Sequence, residues 1–385
     1  MSLVNTTPQL PAESHRYHIL DGLRGVAALM VILFHFGEGF ATSAIDQWIN
    51  HGYLAVDFFF VLSGFVLGYA YDSRWKYKGG SITPGGFMLR RVIRLHPMVI
   101  AGILLGVISF VIQGCVKWDG SPSSFLSIAL CALLGLFCIP CLPGADAEIR
   151  GNGEMFPLNG PSWSLFFEYI GSILYAVWLH RLSNRALKVY VVLSAVGLAA
   201  WALCDMSGTY SVGSGWTLAE YGFLGGFLRL SFSFSAGLLM SRVIRNRRIP
   251  GAFWISAIII CVLLSVPYVT TVAGEKSILN GCYDLLCTLI IFPAVVWLGA
   301  CGVTTDALST RVCSFLGAIS YPIYMVHYPA MYLYYWWVWS NGITFTEALP
   351  VMALILVGSI LVAYLFLRIY DLPVRRYLTN HLLKK

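Results

Sequence analysis

Residues 19–38 read ILDGLRGVAALMVILFHFGE, an apolar stretch long enough for one membrane-spanning helix, and they include Arg24 and His35. At about 100° per residue, the eleven steps from Arg24 to His35 return almost to the same helix face. At about 1.5 Å per residue, the imidazole lies roughly 16 Å deeper than the guanidinium. The sequence therefore predicts a cation at a membrane surface and a titratable base near the middle of the bilayer, both on one face.

The composition of the whole chain agrees with a membrane protein. Of its 385 residues, 58% are hydrophobic and 11% are charged, whereas soluble domains carry roughly 25% charged residues. The apolar runs are continuous, which excludes a bilayer β-barrel of short alternating segments. The predicted fold class is all-α, a polytopic helical bundle in a lipid bilayer. The net charge of +7 lies mostly in loops, where it sets topology, so no nucleic-acid partner is expected.

The distribution of basic residues predicts how the chain crosses the membrane. Eleven apolar segments are candidate spans: 19–38, 53–71, 97–117, 124–142, 162–180, 187–204, 221–241, 252–272, 282–300, 316–338 and 348–369. The basic segments are 74–94, 180–188, 241–248 and the C-terminal tail, and the positive-inside rule places all of them in the cytoplasm.

Three candidates lie between the first two basic segments, so one of them does not cross the membrane. Segment 124–142 contains Pro140 and has no basic anchor, and it is predicted to be re-entrant or interfacial, with a true eleventh crossing as the alternative. We therefore expect about ten crossings. The predicted parts are a cytoplasmic tail 1–18 without a cleaved signal peptide, a membrane domain 19–373 and a basic cytoplasmic tail 374–385. A bacterial inner membrane fits these features.

Several polar residues in the apolar segments are candidates for chemistry. A neutral imidazole at His35 can take a proton from a hydroxyl, although a buried histidine bound to a carbonyl is the alternative. Arg24, one turn after Asp21, and the pair Arg91 and Arg94, which share a helix face, could hold phosphate groups at the cytosolic mouth. The alternatives are a snorkelling anchor for Arg24 and a topology signal for the pair.

Two further segments carry acids. Asp57 lies among phenylalanines ahead of Ser63-Gly64, a dipeptide that provides a hydroxyl and a notch or, alternatively, close helix packing. Glu168 could orient His35 or deprotonate an acceptor, and its alternative is a structural pair with Arg229.

The remaining candidates are aromatic residues and cysteines. The segment with Tyr321, Tyr324, His327 and Tyr328 is typical of an interfacial aromatic belt, and a sugar site is the alternative. The CxxC at 138–141 has no second ligand pair, so no metal site is expected. If the segment with Cys115, Cys131, Cys138 and Cys141 faces an oxidising compartment, one disulfide is possible there.

Together these segments resemble the acyltransferase-3 family of integral membrane acyltransferases. The motifs that carry the resemblance are LDGLRGVAALMVILFHF (20–36), DFFFVLSGF (57–65), RRVIRLHP (90–97), PSWSLFFEY (161–169) and ISYPIYMVHYP (319–329). Each motif alone is weak, but five in the family's order on a ten-span pattern are a specific match.

The resemblance implies transfer of an acyl group, most often acetyl, from cytosolic acyl-coenzyme A to a hydroxyl of an extracytoplasmic or lipid-linked carbohydrate. It implies that His35 is catalytic, and we expect Glu168 to be a second catalytic residue. The expected donor site contains Arg24, Arg91, Arg94, Ser63, Gly64 and Asp21. The alternative function is export of a lipid-linked sugar or a small acylated molecule, but such transporters commonly show duplicated halves, which this sequence lacks.

Overall fold

The computed structural model describes residues 17–244 and 247–383. Eleven helices follow one another in these ranges: α1 His18–Glu38, α2 Ala55–Tyr71, α3 Pro84–Ile112, α4 Phe125–Leu136, α5 Ser162–Val177, α6 Asn184–Leu203, α7 Gly222–Val243, α8 Ala252–Ser265, α9 Ile278–Cys301, α10 Ala307–Asn341 and α11 Phe345–Leu382. Strands β1 Ile249–Pro250 and β2 Gly302–Val303 form one short parallel ladder. Single 3₁₀ turns cover His51–Leu54, Lys76–Lys78 and Leu179–Arg181.

The helices confirm the predicted all-α membrane bundle, because each of the eleven apolar segments contains one of them. Seven helices in the described ranges are long and apolar enough to span a bilayer, namely α1, α2 with its preceding turn, α3, α6, α7, α9 and α11. Helix α10 is long, but its many tyrosines and tryptophans lower its hydropathy. Helix α4 has 12 residues and a length of about 18 Å, which is short of the roughly 30 Å hydrocarbon core. Helix α8, with 14 residues, is also shorter than that core, so the re-entrant or interfacial position of 124–142 and the ten crossings stay predictions.

Some helices extend beyond the predicted segments. Helix α3 begins at Pro84 because the Thr83 hydroxyl accepts the Gly86 N–H at 3.1 Å and proline suits the first helical turn. Arg91 and Arg94 therefore lie on one helix, as their spacing of three residues predicted, although the predicted apolar segment began only at residue 97. Helix α11 continues through a π-helical turn at Leu367–Asp371 to Leu382, beyond the predicted boundary at 373. Residues 1–16 of the predicted N-terminal tail lie outside the described residues, and the division into tails and membrane domain stays a prediction.

The centre of the bundle is formed by helices that approach one another closely. Helix α2 packs along α7, and α1 packs along α10. A Cβ added at Gly64 would lie 1.9 Å from the Phe234 carbonyl oxygen, and one at Gly237 would lie 2.0 Å from the Val61 carbonyl oxygen. Only glycine permits this backbone contact, which is typical of helix packing in membranes. The contact fixes α2 and thereby places Ser63 about 100° further around the helix, facing away from this contact.

Candidate active site

A pocket with an empty volume of about 750 Å³ lies between α1, α2, α3, α5 and α10. We call it the arginine pocket. Five of the residues predicted from the sequence line it, namely Arg24, Ser63, Arg91, Arg94 and Glu168. Residues that are distant in the chain therefore converge on one cavity, as expected for a binding site rather than for separate topology signals.

Arg24 is held in place from two sides. Asp21, one turn earlier on α1, forms an ion pair with its guanidinium, and the Arg24 Nε–H donates to Ser320 Oγ at 3.1 Å. Asp21 does not line the arginine pocket. It is therefore placed to orient Arg24 and does not face the cavity itself.

The carboxylate of Glu168 binds side chains of α3 and α2. Arg91 forms an ion pair with Glu168, Arg91 Nε donates to Ser172 Oγ at 3.2 Å, and Ser63 Oγ donates to Glu168 Oε1 at 3.0 Å. The two side-chain pairings considered for Glu168 from the sequence, with His35 and with Arg229, are not formed in this structure, and its suggested role in deprotonating the acceptor stays a prediction. Its carboxylate faces Arg91 because α5 packs against α3.

Arg229 has a different partner. Its guanidinium binds Asp57 at 2.7 Å, and both side chains are buried. It also donates to the backbone oxygens of Ser214 and Tyr53, so the buried charge is fully compensated. The acid among the phenylalanines therefore joins α2 to α7 and belongs to the packing of the bundle. Gly64, expected in the donor site, faces the same helix pair and does not line the arginine pocket.

Arg94 differs from the other arginines of the pocket. It is exposed to the cavity, and no residue in 17–244 or 247–383 forms a hydrogen bond or ion pair with it. Arg24, Arg91 and Arg375 lie within electrostatic range of it, and so do two carboxylates, Asp21 and Asp371, which are bound to Arg24 and Arg375. A guanidinium without a direct partner among other cations is suited to an anionic ligand.

His35 lies in a second cavity with an empty volume of about 1730 Å³, which we call the outer chamber. The side chain of His35 is 13% exposed, and its Nδ1 lies 2.6 Å from Glu38 Oε2. Tyr335 donates its hydroxyl to the same carboxylate oxygen at 2.7 Å. Because a carboxylate accepts the Nδ1–H, the Nε2 of a neutral His35 carries the lone pair and is the basic atom.

Glu38 was missed by the sequence analysis. It follows His35 by three residues on the same helix, so the i,i+3 spacing was a usable signal. Glu38 occupies the place that the sequence assigned to Glu168, beside the imidazole.

The aromatic segment of α10 surrounds this imidazole. The ring of Tyr328 meets His35 edge-on at 4.8 Å, and the ring of His327 stacks on it at 5.6 Å and 27°. His327 is fully buried, and its Nδ1–H donates to the Ile323 carbonyl at 2.9 Å. The interfacial belt favoured by the sequence is therefore wrong, because Tyr321, Tyr324 and Tyr328 line interior cavities.

The two cavities share part of their walls. Val56 and Tyr324 line both the arginine pocket and the outer chamber. The hydroxyl of Tyr324 lies 2.7 Å from Ser164 Oγ, a residue of the arginine pocket. A ligand that passes between these side chains would join the cations of one cavity to the imidazole of the other.

The far wall of the outer chamber combines a carboxylate with aromatic rings. Glu154 accepts hydrogen bonds from the hydroxyl of Tyr332 and from Asn152 Nδ2, and Arg150 lies 3.3 Å from the centre of the Tyr332 ring. Burial raises the pKa of Glu154, and Arg150 and the two hydrogen bonds oppose that effect. Sequence reasoning missed Arg150 and Glu154, since they lie on a long loop whose path no periodicity predicts. The chamber also contains Trp118, Trp163, Trp216 and Trp339.

The regions that match known proteins extend over most of the chain. The sequence profile of the acyltransferase-3 family, described as an acyltransferase domain, matches residues 17–368. Protein 2 in the picA locus of Rhizobium radiobacter is 35% identical over 199 residues, which is 49% of this chain and 95% of that protein. No solved structure matches the chain.

Two relatives match over most of their length. A provisionally named membrane-bound transacylase of Komagataeibacter xylinus, BcsY, is 26% identical over 94% of this chain and 87% of its own length. The acyltransferase MdmB of Streptomyces mycarofaciens is 26% identical over 83% of this chain and 80% of its own length. These matches support an enzyme rather than an exporter. The chain belongs to the acyltransferase-3 family and is an integral membrane O-acyltransferase.

Proposed function

We propose that this O-acyltransferase moves an acyl group, acetyl in the first instance, from cytosolic acyl-coenzyme A to a hydroxyl of an extracytoplasmic or lipid-linked carbohydrate. The observation that supports the proposal most strongly is the shared wall of Val56 and Tyr324. On one side of this wall lies the guanidinium of Arg94, which has no direct partner among the described residues. On the other side lies the imidazole of His35, which Glu38 holds in one orientation.

The arginine pocket is the proposed donor site. Arg94 is free to bind a phosphate, and Arg24 and Arg91 add positive charge next to it. Guanidinium groups bind phosphates through paired N–H donors, and the phosphates of coenzyme A provide such anions. Ser63 and Glu168 hold Arg91 in position. In this arrangement the flexible arm of the donor extends from the arginines toward Tyr324 and brings the thioester to His35.

His35 is the proposed general base. Its Nε2 takes the proton of the acceptor hydroxyl while the hydroxyl oxygen attacks the thioester carbonyl. The carbon–sulfur bond then breaks and coenzyme A leaves as a thiolate. Glu38 stabilises the resulting imidazolium through the Nδ1–H hydrogen bond and keeps the ring in one tautomer. His35 returns its proton to the thiolate or to solvent.

The outer chamber is the proposed acceptor site. Trp339 stacks on Tyr335 with ring planes 12° apart and is itself half exposed. Aromatic faces of this kind receive the apolar faces of sugar rings, and the surrounding serines, threonines and asparagines supply hydrogen bonds. The charged groups that line the chamber have partners, since Glu38 binds His35, Arg229 binds Asp57, and Glu154 accepts hydrogen bonds from Tyr332 and Asn152.

The same arrangement supports an orientation in the membrane. Arg24, Arg91, Arg94 and Arg375 gather at one end of the bundle, and the positive-inside rule assigns that end to the cytosol. Both termini are then cytoplasmic, and the outer chamber opens on the other side. A bacterial inner membrane is the proposed location.

A transfer assay tests this proposal. The protein is reconstituted in lipid nanodiscs with acetyl-coenzyme A and a lipid extract of the native membrane, and release of the coenzyme A thiol is followed. We expect His35→Ala to lower the rate by roughly a hundredfold or more, since general bases contribute about 10²–10⁴-fold. His381→Ala is the matched control, because this histidine is exposed on the last turns of α11 and should leave the rate unchanged. An unchanged rate in His35→Ala would refute the proposed role.

A further inference from the structure

Four cysteines lie close together in the sequence around α4, and the structure pairs two of them. The sulfur atoms of Cys131, on α4, and Cys141, on the following loop, are 4.0 Å apart. Both side chains are about 2% exposed. Cys138 is also buried, but among the described residues no hydrogen bond joins its sulfur to another cysteine. The fold thus selects one pair out of the six that four cysteines allow.

The loop that carries Cys141 builds the wall of the outer chamber. The Cys141 N–H donates to the Met155 carbonyl at 2.8 Å, directly beside Glu154. The arginine pocket lies at the other end of the bundle. If that end faces the cytosol, the pair Cys131 and Cys141 lies toward the extracytoplasmic side. There, thiols meet oxidising conditions and disulfides persist.

We propose that Cys131 and Cys141 form a disulfide that fastens α4 to the loop of the outer chamber. The proposal rests on the orientation given above and not on the identity of donor or acceptor. The sulfurs, which are 4.0 Å apart, need to approach by roughly 2 Å to reach the bond length of about 2.05 Å. A covalent link here would hold a short helix that offers much of its surface to lipid, with Phe125 86% and Leu126 77% exposed.

The chemistry is a two-electron thiol–disulfide exchange with the disulfide of an extracytoplasmic oxidant protein. The thiolate of one cysteine attacks the oxidant's disulfide and forms a mixed disulfide, and one sulfur of the oxidant leaves as a thiolate. The second cysteine, as a thiolate, then displaces the other oxidant sulfur. Cys131 and Cys141 are oxidised to the disulfide, and the oxidant is reduced to a dithiol that retains both protons. Since both sulfurs are buried in the folded protein, the exchange takes place before α4 packs.

Differential alkylation in cells tests the disulfide. Cells are lysed in denaturant with a light maleimide, the protein is then reduced, and newly freed thiols receive a heavy maleimide before peptide mass spectrometry. We expect the heavy label on Cys131 and Cys141 and the light label on Cys115 and Cys138. In Cys131→Ser, Cys141 should change to the light label. Cys138→Ser is the matched control and should leave the labels of the pair unchanged.

Light label on both Cys131 and Cys141 in the parent protein would overturn the proposal, as would a cross-linked peptide that joins either of them to another cysteine. The transfer assay on the same membranes separates this result from a failure of the proposed function. His35→Ala should abolish transfer and keep the heavy labels. A parent protein that transfers acyl groups with both thiols free would refute the disulfide alone.

Discussion

The arginine pocket and the outer chamber are neighbours with opposite chemistry. The pocket is lined by Arg24, Arg91 and Arg94 and by one carboxylate, Glu168, which binds Arg91, and Arg94 has no direct partner among the described residues. The chamber pairs its imidazole with Glu38 and surrounds it with tyrosine and tryptophan rings. This contrast supports the proposal that one cavity binds the anionic donor and the other binds an uncharged acceptor with apolar faces. Under that proposal, Glu168 and Glu38 have different roles.

The largest effect is expected when the carboxylate of each cavity is replaced by an amide. Glu38→Gln removes the charge that stabilises the His35 imidazolium, and we expect kcat for acetyl transfer to fall roughly a hundredfold. Glu168→Gln is the matched variant in the arginine pocket and should change kcat by less than about fivefold, with its effect in KM for the donor. Steady-state kinetics in nanodiscs measure both. If Glu168→Gln lost more kcat than Glu38→Gln, Glu168 and not Glu38 would be the carboxylate that supports His35.

A donor that lacks phosphates tests whether the arginine pocket binds the phosphates of coenzyme A. Arg94→Ala should raise KM for acetyl-coenzyme A about tenfold, the value of one hydrogen bond between charged groups, and leave kcat nearly unchanged. With S-acetylpantetheine, which lacks phosphates, the same variant should behave like the parent protein.

Arg90→Ala is the control for this experiment, since Arg90 donates to the Gly86 carbonyl and does not line the pocket. Equal effects of Arg94→Ala on both donors would show that Arg94 does not bind phosphate.

The smallest expected effect concerns the chamber. Trp339→Ala removes one exposed aromatic face and should raise the half-saturating amount of acceptor lipid extract about threefold, while KM for acetyl-coenzyme A stays constant. Trp336→Ala is the control, because Trp336 is exposed outside the chamber. A change only in KM for acetyl-coenzyme A would show that Trp339 contacts the donor and not the acceptor.

The sequence predicted one cavity better than the other, for physical reasons. Arg24, Arg91 and Arg94 were identifiable for two reasons. A charge in or beside an apolar helix is costly and therefore marks a functional site, and the positive-inside rule places these three residues at one surface. The partners of Glu168 and Arg229 were not predictable, since they depend on how helices rotate against one another. That rotation is fixed by contacts such as Gly64 with Phe234.

The outer chamber was only partly visible in the sequence. The base His35 was found, but Glu38 was overlooked although it lies one helical turn away. Glu154 and Arg150 come from a loop, and a loop's path follows from tertiary contacts such as the hydrogen bond between Cys141 and Met155. The aromatic residues of α10 resembled an interfacial belt because composition alone does not distinguish a lipid-facing ring from one that lines a cavity.

The most direct test of the central claim is an experimental structure of His35→Ala with bound acetyl-coenzyme A. The account predicts phosphates against Arg94 and Arg24, an arm that passes between Val56 and Tyr324, and a thioester beside residue 35 and Glu38. Phosphates bound away from the arginine pocket, or an acyl group that ends there without reaching the outer chamber, would contradict it.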